Sequence, residues 1–405
     1  MKKDSATTPN DGPLCGIFVI DHSSALAGPY CAQLLGDLGA EVIKIERPDG
    51  GDQARGWGPP FVGGESAYFL GTNRNKRGMT LDLSKEAGGA VLQRLLQQAD
   101  VLVHNVHRQV TRQKLGVDEE QCRALNPRLI WACISGFGNS GPYAERPGYD
   151  VIAQGMSGTM YITGEPENGP IRFPTAIADI TAGIYTALAI VSALFTRERT
   201  GQGQAIDTAL LDSQVTWLAN IACNYLATGE DVKKLGNAHP SIVPYQPFPT
   251  ADGWIIVGVG SERLWKRLVE VLAWPELGDD PRYATNADRL RHRDELVPLL
   301  AEHFRKYSAN EWLDKLEAAG IPAGPINTPE AILNDEHLLA RGMIVELEHP
   351  VLGAIRSLGN PIKLSNTPVS YRRPPPLLGE HTTEILTELG YDKSEIDRLQ
   401  KKGVV

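Results

Sequence analysis

Residues 173–201 read FPTAIADITAGIYTALAIVSALFTRERTG, and between Phe173 and Thr196 they carry one charged residue, Asp179. Ile177, Ile180, Ile184, Leu188, Val191 and Leu194 recur at the spacing of one helical face, and Gly201 follows a basic last turn. The spacing predicts a largely buried helix with a lone carboxylate at its start. That carboxylate has two compatible readings. As an N-cap, Asp179 would accept hydrogen bonds from the first-turn amides. Those amides and the helix dipole would also keep it ionised, and an ionised carboxylate in apolar surroundings is a usable nucleophile. Asp150, in RPGYD before the helical stretch VIAQGMSGTMYI, has the same ambiguity.

Apolar strands alternate with amphipathic helices on the N-terminal side of this stretch. GIFVID (16–21), EVIKIE (41–46), GMTLDL (78–83), DVLVHNV and LIWACIS read as strands; PYCAQLLGDLGA, KEAGGAVLQRLLQQA and DEEQCRALN read as helices between them. Such alternation predicts a Rossmann-like parallel sheet covered by helices on both faces, an α/β fold. After Gly201 come the strand GQAIDTAL and one helix, LLDSQVTWLANIACNYLA. NAHPSIVPYQPFPTADG is then irregular and rich in proline; beyond it lie a strand over 254–259 and several short helices. Ser308 and Glu311 have capping-box spacing, and Thr328 with Pro329 reads as N-cap and N1.

The domains expected are a disordered tail over 1–13, a large domain over 14–224 and a small α+β domain over 225–325. Residues 326–405 should link back to the large domain through the strands MIVELEHPVLGAIRS and the helices after PPPLLGEHTTEIL.

The 405 residues carry a formal net charge of -9 with no basic block, which argues against a nucleic-acid partner. No apolar run reaches the ~20 residues of a membrane span, and the N-terminus lacks a signal-peptide core. Five cysteines without CxxC pairing read as free thiols in a reducing cytoplasm.

Gly136-x-Gly138-x-x-Gly141 follows a strand and formally matches a dinucleotide fingerprint. A fingerprint must open a helix on its glycines, whereas here Pro142 and YAERPGYD continue as loop. The nine histidines are scattered, and His104 and His107 lack an acidic neighbour, so no metal site is expected. There is no GxSxG elbow and no Walker A loop. Lone carboxylates remain as the candidate chemistry.

ALAGPYCAQLLGDLGAEVIKIERPDGGD, NRNKRGMTLDL, SGFGNSGPYAERPGYDVIAQGMSG and TAIADITAGIYTALAIVSAL together resemble the family III CoA-transferases, the CaiB–BaiF group. GIPAGPINTPEAILND and PPPLLGEHTTEIL extend the likeness over residues 14–405. RGWGPPFVGGES and NAHPSIVPYQPF look most like the members that exchange CoA between succinyl-CoA and glutarate or related dicarboxylates. The resemblance implies a homodimer of two interlocked chains and no permanently bound cofactor, with a coenzyme A thioester and a small carboxylic acid as substrates. It implies that Asp179 is the nucleophile, forming mixed anhydrides and an aspartyl-CoA thioester. Implied CoA contacts are Ala27, Arg47, Asn105, Lys114, Tyr149 and Asp150; implied substrate contacts are Arg74, His239, Gly258 and Gly260. Around Asn105 the family's ENF-x-PG becomes HNVHRQ. Lys114 then stands where an arginine is usual, and Ser24 replaces an arginine or another polar residue.

Two other readings share the fold. A 2-methylacyl-CoA racemase would carry a histidine where this chain has Tyr149, as the second base of a two-sided proton transfer. A non-catalytic subunit of a heteromeric transferase would account for the altered 105–114 region. Arg74, Arg77 and Arg172 are the candidates to bind an acceptor's distal carboxylate.

Overall fold

Six short strands form one parallel sheet in the computed structural model, which describes residues 12–405. They are β1 (Phe18–His22), β2 (Glu41–Glu46), β3 (Lys76–Thr80), β4 (Val101–His104), β5 (Ile130–Ser135) and β6 (Ala205–Ala209). Their order is β3-β2-β1-β4-β5-β6, and every pairing is parallel. Helices cover both faces, so the inner strands are buried on both sides and read as unbroken apolar runs. The order reverses between β1 and β4, and loops leaving the carboxyl ends of neighbouring strands diverge there to open a crevice. Two strands start earlier or later than their apolar runs suggest: β1 at Phe18 rather than residue 16, and β3 at Lys76 rather than residue 78. The expected tail over 1–13 lies almost wholly outside the described residues.

The helices that matter for the site are α1 (Ala27–Asp37), α2 (Glu86–Gln98), α3 (Asp150–Met156), α4 (Ile177–Thr200) and α5 (Leu210–Val215). The single helix read from LLDSQVTWLANIACNYLA is two. A 3-10 turn over Thr216–Leu218 and a positive φ of 39° at Ala219 separate α5 from α6 (Ala219–Thr228).

Helix α4 corrects one expectation. Its buried face is mostly small residues, Ala178, Thr181, Ala182, Gly183, Thr186, Ala187 and Ala193, joined by Ile177, Ile190, Leu194 and Arg197. Small side chains let it lie close to α1: a Cβ on Gly183 would come within 2.7 Å of the Ala27 carbonyl oxygen. The predicted stripe is split: Ile177 and Leu194 are buried, whereas Ile184 (47% exposed), Leu188 (61%) and Val191 face outward, beside Phe195 (67%). The helix is also long and apolar enough, by length and composition, to cross a membrane. That composition arises because small residues on the packed face and large ones on the outer face are both apolar, and 56% of the window is buried inside the protein.

The chain divides into two units. The first takes residues 12–159, 172–222 and 337–405 and contains the parallel sheet. Its C-terminal helices, Thr382–Glu388 and Lys393–Lys401, place Ile385, Leu386 and Ile396 in the cluster formed by Met79, Leu95 and Leu102. Residues 344–358 form a hairpin, Ile344–His349 with Gly353–Leu358.

The second unit combines 160–171 with 223–336, so it is longer than the expected 225–325 and includes a piece of the preceding sequence. Strands β7 (Tyr245–Pro249), β8 (Trp254–Gly258) and β9 (Ala323–Pro325) form an antiparallel sheet in the order β9-β8-β7. Phe248, Val257, Trp265, Phe304 and Trp312 are part of its core. The capping box at Ser308 and Glu311 is present, and Thr328 caps the helix that starts at Pro329.

Candidate active site

The site is built at the carboxyl end of β5. Beyond it the chain loops out and returns so that the backbones of Gly136 and Gly148 touch; a Cβ on Gly136 would lie 2.6 Å from the Gly148 Cα. No helix opens on the glycines of 136–141, and the next one begins only at Asp150. The glycines therefore close a loop and set Tyr149 and Asp150 beside the strand end.

Helix α4 begins with Ala176 at its N-cap, a residue with no side-chain acceptor, and Asp179 is its third residue rather than its cap. Asp150 supplies the missing acceptor. Its Oδ1 takes the Ala178 N–H at 2.8 Å, and its Oδ2 takes the Gln154 side-chain N–H at 2.7 Å. Gln154 is buried and also fastens the segment before α4. Its Oε1 accepts the Phe173 N–H at 2.9 Å, and its amide nitrogen donates to the carbonyls of Phe173 and Thr175. One turn of α3 thus fixes the start of α4 from outside it.

This arrangement reverses one expectation about Asp179. Burial, and secondarily the Asp150 carboxylate, push its carboxyl up to about 7, so the helix N-terminus does not hold it in the ordinary carboxylate range. Loss of hydration and a like charge are the causes of the rise. Tyr68 feels the same field: burial first, then Asp179 and Asp150, push its phenol up to about 12.

Asp179 lines a cavity of about 680 Å³ whose wall includes Ala27, Trp57, Tyr68, Tyr149, Asp150 and Arg172. Trp57 and Tyr68 meet edge to face, 5.0 Å apart. A second cavity of about 700 Å³ contains Arg47 and shares Ser24, Gln53 and Asn105 with the first. A third, about 450 Å³, contains Lys114 and shares Leu83, Ser84, Lys85 and Leu115 with the second. Asp179, Arg47 and Lys114 therefore lie in successive, adjoining clefts, a layout suited to a long ligand with anionic groups at one end.

The wall between the first two clefts is the segment after β1. Asn105 grips Ser24 on both sides, Oδ1 accepting its N–H at 3.2 Å and Nδ2 donating to its carbonyl at 2.9 Å. Lys44 donates to the Ser23 carbonyl and pairs with Asp52 at 2.9 Å, both side chains fully buried. Asp52 accepts the Ala25 N–H, and Ala25 adopts a φ of 69°. Asn105, read from the resemblance as a CoA contact, spends its amide on shaping this wall.

The other candidates fall elsewhere. Arg74 is buried and makes paired hydrogen bonds to Asp37 at 2.9 and 2.6 Å, with another to the Leu358 carbonyl. Arg77 pairs with Glu41, Glu384 and Glu388. Neither lines the cavity of Asp179. Their sequence positions gave no sign that acids from distant segments would saturate them. His239, Gly258 and Gly260 belong to the second unit. There the His239 ring packs 5.2 Å from Tyr245, whose ring also covers the Cβ direction of Gly258, while that of Gly260 is open.

Sequence reading missed Tyr68 and Gln154. The only signal for Gln154 was a polar residue inside a short apolar helix; Tyr68 had none. All five cysteines are free, and burial pushes the thiols of Cys122 and Cys133 up to about 12.

A parallel sheet with two carboxylates at its carboxyl edge, and clefts leading away toward cations, fits the class of α/β enzymes that act on an extended anionic ligand. The family profile of CoA-transferase family III matches residues 14–382, and the chain belongs to that family. It is similar to the succinate–glutarate CoA-transferase of Agrobacterium fabrum, 46% identical over 93% of this chain and 96% of that one. It is also similar to the human succinyl-CoA:glutarate CoA-transferase, 43% identical over 98% of this chain and 90% of the relative. The crystal structure of a CAIB/BAIF family protein from Brucella suis superposes with a TM-score of 0.85 at 43% identity, covering 94% of this chain and all of that one. The protein is an enzyme that transfers CoA, and these relatives support transfer between carboxylic acids.

Proposed function

We propose that the enzyme moves CoA from succinyl-CoA to a small dicarboxylate, with Asp179 as the covalent centre. The observation that carries this reading is the Asp179 carboxyl itself. It lines a cavity walled largely by apolar and aromatic side chains, and burial raises its basicity to about 7. A carboxylate of that basicity is a better nucleophile than a solvated one and is still largely ionised just above neutrality. Relatives named for glutarate, malate, mesaconate and oxalate support a dicarboxylate acceptor.

An Asp179 oxygen attacks the thioester carbonyl of succinyl-CoA and expels the CoA thiolate, leaving a succinyl–aspartyl anhydride. The thiolate then attacks the aspartyl carbonyl, releasing succinate and leaving an aspartyl-CoA thioester. The acceptor carboxylate attacks that thioester, giving a second anhydride and free thiolate. Attack of the thiolate on the acceptor's acyl carbon yields the new acyl-CoA and regenerates the carboxylate. No step consumes water, and the apolar and aromatic part of the lining around Asp179 disfavours water beside the anhydrides. The exposed stripe on α4 supports the further reading that the enzyme works as a homodimer.

The test is transfer by the purified chain alone. With succinyl-CoA and glutarate it should form glutaryl-CoA, and hydroxylamine added with the thioester should leave a hydroxamate at Asp179. Asp179→Asn and Asp179→Ala should be inactive while folded. A chain that transfers only when a second polypeptide is added would count against the reading, as would an active Asp179→Ala.

A further inference from the structure

We infer that Arg172 receives the distal carboxylate of the acid that reacts at Asp179, and so selects dicarboxylates. The inference rests on the transfer reading above. Among the described residues Arg172 is the only lysine or arginine lining the Asp179 cavity, which also holds two carboxylates, Asp150 and Asp179. His107 lines it too, but burial pulls its imidazole below the ordinary range, toward the neutral form. A substrate with a second carboxylate would meet repulsion from both acids, and a guanidinium is the group that offsets it, with a fork that matches a carboxylate. Arg74 and Arg77 do not reach this cavity, and acids already occupy both.

Arg172 is held in place although its surface is exposed. The next residue, Phe173, is fastened to Gln154, and Gln154 is fastened to Asp150. The guanidinium also folds toward the start of α4, donating one hydrogen bond to the Pro174 carbonyl at 2.8 Å. Among the described residues its other N–H groups have no acceptor. The Gln154–Asp150 link therefore positions the cation and the cap of the Asp179 helix from the same turn of α3. Trp57 and Tyr68, on the same cavity wall, offer apolar surface to the methylenes between the two carboxylates.

The test compares glutarate with its monomethyl ester, in which one carboxylate is masked. Preference is taken as kcat/KM where the acid is turned over and as the reciprocal inhibition constant where it only competes. Arg172→Gln should lower the value for glutarate by about tenfold to a hundredfold, the loss expected for a charged hydrogen-bonded partner, and leave the monoester within about threefold. Arg172→Lys should fall between wild type and Arg172→Gln. Equal losses for both acids would overturn the inference. So would an unchanged ratio with a raised KM for the thioester, which would assign Arg172 to CoA. Either result with Asp179→Asn still inactive leaves the transfer reading intact; an active Asp179→Asn would remove that reading instead.

Discussion

Asp150 accepts the backbone N–H of Ala178 at 2.8 Å, and so caps a helix to which it does not belong. The residue after Ala178 is Asp179. The cap that orders the start of α4 is thus also the negative charge that helps raise the carboxyl one residue further along the chain. One side chain provides geometry and electrostatics together, and the two can be separated by substitution.

Asp150→Asn keeps an oxygen for the Ala178 N–H and removes the charge. Asp179 should then titrate lower than about 7, because one cause of its rise is gone. The acid limb of kcat/KM, expected near pH 7 in the wild type because the nucleophile must be ionised, should move to lower pH. Asp150→Ala should make the same shift and also cost about 1–2 kcal/mol of stability, the usual loss of a helix cap. A pH–rate profile and a melting curve for both variants check this; an acid limb that stays in place refutes the coupling.

Stability should depend on pH through Asp179. Its folded-state carboxyl sits at about 7, above the usual carboxylate range, so between about pH 4 and 7 the folded state binds more protons than the unfolded one. Stability from this group is therefore lost as pH rises through that window and is level above it. Asp179→Asn does not titrate, so its melting temperature relative to wild type should rise from pH 4 to 7 and then stay constant. Scanning calorimetry of both proteins across that range measures the difference. A difference that does not change with pH would mean that the carboxylate is well solvated.

Self-association should depend on the exposed face of α4. Ile184, Leu188 and Phe195 stand outward at helical spacing, each 47% exposed or more. If they meet a second copy, wild type should sediment as a dimer at low nanomolar concentration. Leu188→Asp combined with Phe195→Asp should give monomers or aggregates. A folded wild-type monomer at those concentrations would contradict the dimer.

The parallel sheet was legible in the sequence, because strands buried on both faces must be short unbroken apolar runs separated by amphipathic helices. So was the prominence of Asp179, since a lone charge in a 24-residue apolar stretch is visible without coordinates. Which face of that helix is buried emerged only from its packing against α1 and the sheet. Periodicity marks a stripe of large apolar residues but does not say what covers it, and here the sheet takes the alanines and leaves Leu188 and Phe195 outside. Packing also decided which arginines are spent and which remains. Arg74 and Arg172 look alike in sequence, yet Asp37, thirty-seven residues away, lies against the first and, among the described residues, no acid pairs with the second. Charge pairing, burial and the rise of the Asp179 carboxyl all depend on distances between segments far apart in the chain, and a linear pattern carries no information about those distances.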